Sequence, residues 1–345
     1  MRVLEVQAPG QFGIRERPEP TPGAGEVLLR PLAVGICGSD REVVQGTRPA
    51  PYVRYPIVPG HEWAAEVIAL GPAVQQLALG DYVAVEGHNY CRVCTACRQG
   101  RTNLCAHYDE FGFTRDGGLA ERVIARADLA HPFRRALAPE HAALTEPAAC
   151  ALHGVDLVAP QPGETVAVIG PGTIGLLGVA LFALYHPGRL IVGGRSARNR
   201  DLALALGATD FCVGSPDEIK SAVQALTGGA GADVVYEAAG SAGGVPLALS
   251  LARRGGRIAL EGIVGGGAHI SLESDLLILQ ALEVKGVFSY TANHFERALR
   301  LIESGLLNVA ALVTHRLPLS RYSDGLALLE SRAEPAVKVS ILPQA

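Results

Sequence analysis

The sequence lacks any long run of one charge sign, and charged residues make up only 19% of its 345 residues. A net charge of −4 spread in this way offers no surface for a polyanion, so nucleic acid is not expected as a partner. The most apolar stretch, Ile174 to Tyr185, has about a dozen residues, whereas a membrane span needs about 20. Met1 to Gln7 lacks the apolar core of a signal peptide. We therefore expect a cytoplasmic protein that does not bind membranes.

Lysine is also scarce, since it occurs only at positions 220, 285 and 338. Arginine supplies nearly all of the basic residues, a bias typical of a GC-rich genome. We draw no mechanism from this composition.

The length exceeds what one compact hydrophobic core accommodates and favours two domains. From Val3 to about Arg126, short apolar runs are broken by Pro and Gly, a pattern typical of short β-strands joined by turns. After Pro160, apolar strands alternate with helix-length segments, which indicates a doubly wound parallel sheet. The six predicted strands are Thr165 to Gly170, Arg189 to Gly193, Asp210 to Val213, Asp233 to Glu237, Gly256 to Glu261 and Glu283 to Phe288.

The last fifty or so residues lie beyond this predicted sheet. They contain two amphipathic helices, Phe295 to Ser304 and Tyr322 to Ser331, and a strand at Val337 to Leu342. Periodicity alone leaves open whether they form a small appendix or return to the first domain.

Four of the seven cysteines are crowded into fifteen residues with the spacing C-x2-C-x2-C-x7-C. Thiolates this close in sequence suit one tetrahedral Zn²⁺, and a four-sulfur site is structural because it leaves no open coordination position. The surrounding loop, about residues 89–106, is too polar to bury a core, so metal binding would supply its order. Two disulfides, unrelated surface thiols and an iron–sulfur cluster are the alternatives. The predicted structural zinc ligands are Cys91, Cys94, Cys97 and Cys105.

A strand-like apolar run leads directly into the motif G-x-G-x-x-G and then into an apolar helix. Gly170 allows the tight turn, Gly172 lets backbone approach a pyrophosphate, and Gly175 lets the helix pack close to the strand. Free N–H groups at the helix start would bind the phosphates. Glycines in an ordinary structural turn are the alternative. The predicted dinucleotide contacts here are Gly170, Gly172, Thr173, Ile174 and Gly175.

About twenty residues further on, an NAD-specific protein usually presents Asp or Glu to the ribose 2′-hydroxyl. This sequence has no carboxylate there, and Gly194 makes room for a 2′-phosphate instead. Charge-assisted hydrogen bonds to that phosphate would come from Arg195, from Ser196, and from one or both of Arg198 and Arg200. NADP is therefore expected, with NAD possible. The alternative is that these arginines begin a solvated helix.

A second candidate metal site consists of one thiolate, one imidazole and one or two carboxylates. These groups suit a Zn²⁺ that keeps a position for water or substrate. A lone Cys or His is more often a packing residue than a metal ligand, so spacing alone does not decide whether these residues bind a metal. The candidates are Cys37, His61, Glu62 and Glu146.

The order of these motifs resembles that of zinc-containing medium-chain dehydrogenases over nearly the whole chain. The carboxylate at Glu146 is similar to the sorbitol and threonine dehydrogenase branch, whereas liver-type alcohol dehydrogenases have a cysteine there. The segment Glu110 to Gly117 resembles the cyclitol-oxidising 2-deoxy-scyllo-inosamine dehydrogenases. The motifs that carry the resemblance are Gly35-Ile-Cys-Gly-Ser-Asp40, Pro59-Gly-His-Glu62, the four-cysteine lobe, Glu146-Pro147 and Gly170-Pro-Gly-Thr-Ile-Gly175.

This resemblance implies a GroES-like β-rich catalytic domain at residues 1–150, followed by a Rossmann domain at residues 151–290. Residues 291–345 would then return to the catalytic domain. The resemblance also implies a homodimer or homotetramer, because the last strand of the nucleotide domain, near Val284 to Phe288, often pairs across a two-fold axis in this family.

The resemblance further implies a catalytic zinc at Cys37 and His61. Glu62 and Glu146 would share the remaining positions through direct or water-bridged contacts. Asp40 would fix the tautomer and orientation of His61. With the four-cysteine site, this gives two zinc ions per chain.

Proton transfer is the point at which this sequence departs from the family. Ser39 would pass the substrate proton outward, but the His that usually stands five residues after the zinc cysteine is replaced by Glu42. Glu42 would relay the proton, bind an amino or hydroxyl group of the substrate, or lie on the solvated surface; geometry has to decide among these roles. Cys150 and Cys212 have no chemical role and are expected to be buried apolar residues.

The expected activity is hydride transfer between a secondary alcohol and NADP, forming a ketone. The substrate would be a polyol, a cyclitol or a sugar-derived alcohol. One alternative is a threonine or simple secondary alcohol dehydrogenase that uses NAD. Another is a catalytically silent dinucleotide-binding protein in which the four cysteines act as a redox sensor.

Overall fold

The computed structural model describes residues 1–265, 269–331 and 335–345. In chain order its strands are β1 (Arg2–Ala8), β2 (Gln11–Glu16), β3 (Glu26–Gly35), β4 (Glu62–Leu70), β5 (Tyr82–Val85), β6 (Val123–Arg126), β7 (Ala130–Pro132), β8 (Thr165–Ile169), β9 (Arg189–Gly194), β10 (Asp210–Val213), β11 (Ala232–Glu237), β12 (Ala252–Leu260), β13 (Glu283–Gly286), β14 (Val313–Pro318) and β15 (Lys338–Leu342). The α-helices are α1 (Gly38–Gln45), α2 (Thr95–Arg98), α3 (Pro139–Ala142), α4 (Thr145–Val158), α5 (Thr173–Ala183), α6 (Arg200–Ala205), α7 (Pro216–Leu226), α8 (Gly244–Leu251), α9 (Ser274–Leu279), α10 (Ala292–Glu303) and α11 (Tyr322–Ser331).

The chain divides into two compact units. The first contains Met1–Glu146 and Thr291–Ala345, and the second contains Pro147–Tyr290. Because the boundary falls inside α4, this helix contributes its first two residues to the first unit and its remainder to the second. Within the part of the chain that the structure describes, no helix is long and apolar enough to cross a membrane.

The first unit is built on a seven-stranded sheet with the order β14-β15-β3-β4-β5-β7, to which β6 adds by pairing with β3. Its strands pair antiparallel except for β14 and β15, which run parallel. The C-terminal strand β15 pairs with β3 through Ser340 opposite Gly35 and Ile341 opposite Val34. Glu62 lies opposite the same Gly35 on the other side of β3, so this register brings β15 and the start of β4 together.

Aromatic side chains fill the core of this first unit next to the start of β4. Trp63 is 1% exposed, and its ring lies 5.5 Å from that of Phe111 in an edge-on arrangement. Phe113 is equally buried and packs against the ring of His61. The loop that carries both phenylalanines is therefore anchored in the core beside residues 61–63.

The second unit has a six-stranded parallel sheet with the order β10-β9-β8-β11-β12-β13. The chain starts at β8, moves outward through β9 and β10, and then crosses to β11 on the other side of β8. Ligands of doubly wound sheets bind outside the carboxyl ends of the strands at this reversal point. The inner strands β8, β9 and β11 are buried and rich in Val, Ile and Ala, as expected for the centre of a sheet covered by helices on both faces.

These two sheets confirm the predicted fold class, a GroES-like β-rich part and a Rossmann sheet. All six predicted Rossmann strands are present, and no end differs from the prediction by more than four residues. Helix α1 was not predicted, because only three of its eight residues, Asp40, Val43 and Val44, are buried, which leaves little periodic signal. Cys212 is buried as expected, whereas Cys150 is only partly buried, so the prediction for Cys150 was wrong in degree.

Candidate functional site

Cys37 is held in place by the first turn of α1, which begins directly after it. The Asp40 carboxylate accepts the backbone N–H of Cys37 at 2.8 Å and that of Gly60 at 3.3 Å. Asp40 is fully buried, so both bonds are shielded from competing water. One carboxylate therefore ties the Cys37 turn to the turn that carries His61.

His61 lies between Asp40 and Ser39. Its Nδ1 is 3.6 Å from Asp40 Oδ1, and its Nε2 is 3.4 Å from Ser39 Oγ. Burial lowers the pKa of His61, but the Asp40 carboxylate and Cys37 outweigh that effect and raise the pKa well above its usual value. Phe113 packs on the imidazole with a ring separation of 4.7 Å. The imidazole is thus fixed, with Nε2 on the Ser39 side.

Glu62 is paired with Lys338, and both side chains are almost completely buried. Lys338 Nζ donates to Glu62 Oε1 at 2.7 Å, to Oε2 at 2.6 Å and to the carbonyl of Ile36 at 3.1 Å. Gly35 leaves the space that this carboxylate occupies, because a Cβ there would collide with Glu62 Oε2. Burial lowers the pKa of Lys338, but Glu62 and Cys37 outweigh it, so the pKa is raised and the ammonium is charged.

Donor atoms of Cys37, His61 and Glu62 lie within 4.8 Å of one another. A soft thiolate, an imidazole and a carboxylate at this spacing match the donors of a zinc site with an open position. Glu146, which was expected to share the site, is not a member of this group. It is buried nearby at the start of α4, where burial and then the Glu62 and Glu110 carboxylates raise its pKa to about 8, against an opposing effect of His61.

Glu42 forms an ion pair with Arg48, with 3.4 Å between Glu42 Oε2 and Arg48 Nη1. The side chains are only 21% and 13% exposed, so Glu42 is not a freely solvated surface residue. The guanidinium of Arg48 also lies 3.6 Å from the centre of the Phe113 ring, on which His61 packs.

The four clustered cysteines converge as their spacing predicts, with sulfur atoms within 4.8 Å of one another. All seven cysteines of the chain are free thiols. The backbone N–H of Cys91 donates to the sulfur of Cys105, and that of Cys94 donates to the sulfur of Cys91. The Ala106 N–H lowers the pKa of the Cys94 thiol to about 6, whereas burial raises that of Cys97 to about 12. Four converging sulfurs with N–H donors suit a tetrahedral thiophilic metal such as zinc.

The glycine-rich turn of the second unit joins β8 to α5 at the reversal point of the sheet. Gly170 has φ +90°, a conformation that favours glycine. A Cβ on Gly175 would collide with the carbonyl of Gly170, whereas the space above Gly172 is open for at least 4 Å. Thr173 and Ile174 form the first turn of α5, whose free N–H groups suit a phosphate.

The arginine segment follows β9 directly. Gly194 is buried, and a Cβ there would collide with Pro171 of the glycine-rich turn. Arg195, Ser196, Arg198 and Arg200 are exposed. Arg200 also donates to the carbonyl of Phe211 and lies over its ring, so this residue is partly committed to β10.

Sequence reasoning missed Lys338 and Arg48. Lys338 stands in an otherwise apolar strand of a chain with three lysines, and a buried lysine of this kind requires a counter-charge. The need for a counter-charge could be predicted from the sequence, but the identity of the residue that pairs with Lys338 could not. Arg48 carries no pattern of its own, because its partners come from helix α1 and from a loop about 60 residues further along the chain.

Two family models match the chain, the alcohol dehydrogenase GroES-like domain over residues 23–135 and the zinc-binding dehydrogenase domain over residues 173–304. The sorbitol dehydrogenase of Halalkalibacterium halodurans is 34% identical over 337 residues, 97% of this chain and 96% of that protein. The L-threonine 3-dehydrogenase of Pyrococcus horikoshii is 33% identical over 318 residues, 90% of each protein. A crystal structure described as a zinc-binding dehydrogenase from Sinorhizobium meliloti 1021, bound to NADP, matches with a TM-score of 0.92 and 32% identity over 99% of both chains.

Proposed function

The chain belongs to the zinc-containing medium-chain dehydrogenases of the alcohol dehydrogenase superfamily, and on that premise we propose that it oxidises a secondary alcohol to a ketone with NADP. It is an oxidoreductase that acts on CH–OH groups. The observation that carries the proposal is the convergence of Cys37, His61 and Glu62 donor atoms within 4.8 Å. A second zinc is proposed at Cys91, Cys94, Cys97 and Cys105, where it would order the loop rather than take part in the reaction.

When bound, zinc supplies a Lewis acid that lowers the pKa of an alcohol, and the nicotinamide supplies the hydride acceptor. Cys37 and His61 are the proposed protein ligands, with Glu62 available as a third. Asp40 keeps the His61 ring oriented through Nδ1, which leaves Nε2 for the metal. Ser39 Oγ, 3.4 Å from that nitrogen, is placed to take the proton of the substrate hydroxyl.

Lys338 controls the availability of Glu62 in this scheme. Both oxygens of the Glu62 carboxylate accept hydrogen bonds from the Lys338 ammonium. This pairing holds Glu62 close to Cys37 and His61 without the help of a metal. Glu146 is the other carboxylate that we propose for the site, through a water-bridged contact or in place of Glu62. A divalent cation nearby would lower its raised pKa and release a proton on binding.

NADP is proposed as the cofactor because Arg195, Ser196 and Arg198 lie exposed at the end of β9, where an NAD-specific protein has a carboxylate. The structural relative bound to NADP supports this choice. Arg200 is a weaker candidate since it already contacts Phe211.

The proposed substrate is a polyol, a cyclitol or a sugar-derived secondary alcohol. Similarity to a sorbitol dehydrogenase over nearly the full length supports a polyol. The similar threonine dehydrogenase makes threonine oxidation with NAD the second candidate.

A homodimer or homotetramer is proposed through β13, the outermost strand of its sheet. Apolar side chains of this strand and of the preceding helix α9 are exposed, with Val284 at 38%, Ile278 at 76% and Leu279 at 68% of their surface. Large apolar side chains grouped at a strand edge mark an association surface. Light scattering should therefore give a multimer, and the Ile278→Glu, Leu279→Glu double variant should give a smaller species; an unchanged mass would refute this interface.

The experiment that tests the proposal is a set of initial rates with zinc-replete protein, using NADP and NAD separately. The panel contains linear polyols, cyclitols, threonine and simple secondary alcohols. We expect NADP reduction with one class of polyhydroxy alcohol. Preference for threonine with NAD would favour the second candidate, and absence of turnover with every alcohol would favour a silent, redox-sensing dinucleotide binder.

A further inference from the structure

A charged cluster beside His61 is not used by the chemistry proposed above. It consists of Glu42, Arg48, Tyr108 and Glu110, and we refer to it as the Arg48 cluster. Arg48 contacts Glu42 at 3.4 Å, the Tyr108 hydroxyl at 3.3 Å and Glu110 at 3.8 Å, while its Nε donates to the carbonyl of Tyr52 at 3.0 Å. The Tyr108 hydroxyl donates to Glu110.

Two connections place the cluster next to the proposed catalytic zinc site. The Phe113 ring is shared, because Arg48 packs on it at 3.6 Å and the His61 ring lies 4.7 Å from its centre. Helix α1 is also shared, because Ser39 and Glu42 stand three residues apart on it and Ser39 Oγ lies 3.4 Å from His61 Nε2. A substrate whose hydroxyl reaches the metal at His61 would therefore present its neighbouring groups to this cluster.

The cluster carries a net negative charge, since the two carboxylates of Glu42 and Glu110 face one guanidinium. Glu110 is 6% exposed and already engaged by Tyr108 and Arg48. Glu42 is more accessible, and within the described part of the chain its carboxylate has a single polar contact, the long one to Arg48. A loosely paired, partly exposed carboxylate is available to accept hydrogen bonds from a ligand.

We propose that the Arg48 cluster is the recognition subsite for the second polar group of the substrate, and that it selects an alcohol bearing a protonated amine over one bearing a phosphate or carboxylate. The proposal rests on the proposed alcohol dehydrogenase function. Glu42 binds the ammonium group, and Arg48 holds Glu42 and Glu110 apart and in place. A phosphate or carboxylate in this position would face both glutamates, which costs affinity through like-charge repulsion.

The test compares kcat/KM for three alcohols that differ only in the group on carbon 6, namely 6-amino-6-deoxyglucitol, glucitol and glucitol 6-phosphate. We expect the amine to be preferred over glucitol, and glucitol over the phosphate, each by about tenfold, a typical effect of one charge contact of about 1.4 kcal/mol. High salt should reduce both ratios, because the glutamate that carries them is partly exposed.

The Glu42→Gln variant removes one negative charge and keeps the shape of the side chain. It should reduce the amine-to-glucitol ratio by about tenfold, whereas Glu42→Asp should keep most of it. Glu296→Gln, a neutralised carboxylate in an exposed ion pair on α10, is the matched control and should leave the ratio unchanged.

Two outcomes overturn the proposal without touching the proposed function: turnover of the phosphate as fast as glucitol by the wild type, or an unaltered amine-to-glucitol ratio in Glu42→Gln. Absence of turnover with every alcohol of the wider panel overturns the proposed function and this inference with it.

Discussion

The buried pair of Lys338 and Glu62 leads to the most demanding prediction. Lys338→Met keeps the length of the side chain but leaves the Glu62 carboxylate, 1% exposed, without its counter-charge. Removing one partner of a buried ion pair typically costs about 3–5 kcal/mol. Without metal, the variant should therefore unfold at a urea concentration lower by about 2 M, for a urea dependence of about 2 kcal/mol per M.

Zinc should offset part of this loss, because a divalent cation beside Glu62 replaces the missing positive charge. The loss in the zinc-loaded variant is therefore expected to be about half or less of that in the metal-free variant. Adding Glu62→Gln should also recover most of the loss, since the double variant buries no unpaired charge.

Trp63 provides the assay, because it is the only tryptophan of the chain and is buried directly after Glu62. Its fluorescence in urea reports the unfolding of the first unit with and without zinc. A loss below about 1 kcal/mol in metal-free Lys338→Met, or no recovery in the double variant, would refute the reasoning, because an unpaired buried carboxylate has to be costly.

Three further predictions concern other parts of the chain. Cys97→Ser should lose one zinc ion per chain by elemental analysis and lower the thermal midpoint, because a polar loop loses its metal; full zinc content would contradict this. Arg195→Ala should raise KM for NADP by about 10–100-fold, the loss of one or two charge-assisted hydrogen bonds, and leave KM for NAD nearly unchanged. Glu261 accepts a hydrogen bond from Tyr236, and burial raises the pKa of the Glu261 carboxyl to about 7. The protonated carboxyl therefore contributes fully to stability below pH 4.5, and this contribution is lost as the pH rises through 7. Glu261→Gln should therefore gain about 1–3 kcal/mol of unfolding free energy relative to wild type between pH 5 and pH 8, and equal pH profiles would exclude this effect.

The Rossmann sheet was predictable because a parallel strand covered on both faces is apolar along its whole length, as in β8 and β9. The glycine motif was equally predictable. Gly170 has a positive φ that favours glycine, and Gly175 leaves no room for a Cβ next to the carbonyl of Gly170. The placement of residues 291–345 was not predictable from periodicity, because pairing of β15 with β3 joins segments about 300 residues apart and leaves no local trace.

The candidate metal ligands could be predicted from the sequence, whereas the side chains that hold them in place could not. Cys37 and His61 stand in motifs whose residue types suit a metal, whereas the partner of Lys338 is 276 residues away in sequence. Of the three roles left open for Glu42, the structure argues against a solvated surface residue, because Glu42 is paired with Arg48. This pairing could not be predicted from the spacing of the two residues in the sequence. Glu146 shows the opposite case, because a motif named the residue and its share in holding the metal stays a prediction.

We propose that alcohol oxidation depends on a zinc ion that Cys37 helps to hold. The most direct measurement is zinc content together with alcohol-dependent NADP reduction in Cys37→Ser, with Cys212→Ser, a buried cysteine outside both sulfur-containing groups, as the control. We expect Cys37→Ser to lose one zinc ion per chain and all turnover, while it still binds NADP and stays folded by Trp63 fluorescence. Retention of all its zinc together with turnover near that of wild type would contradict it.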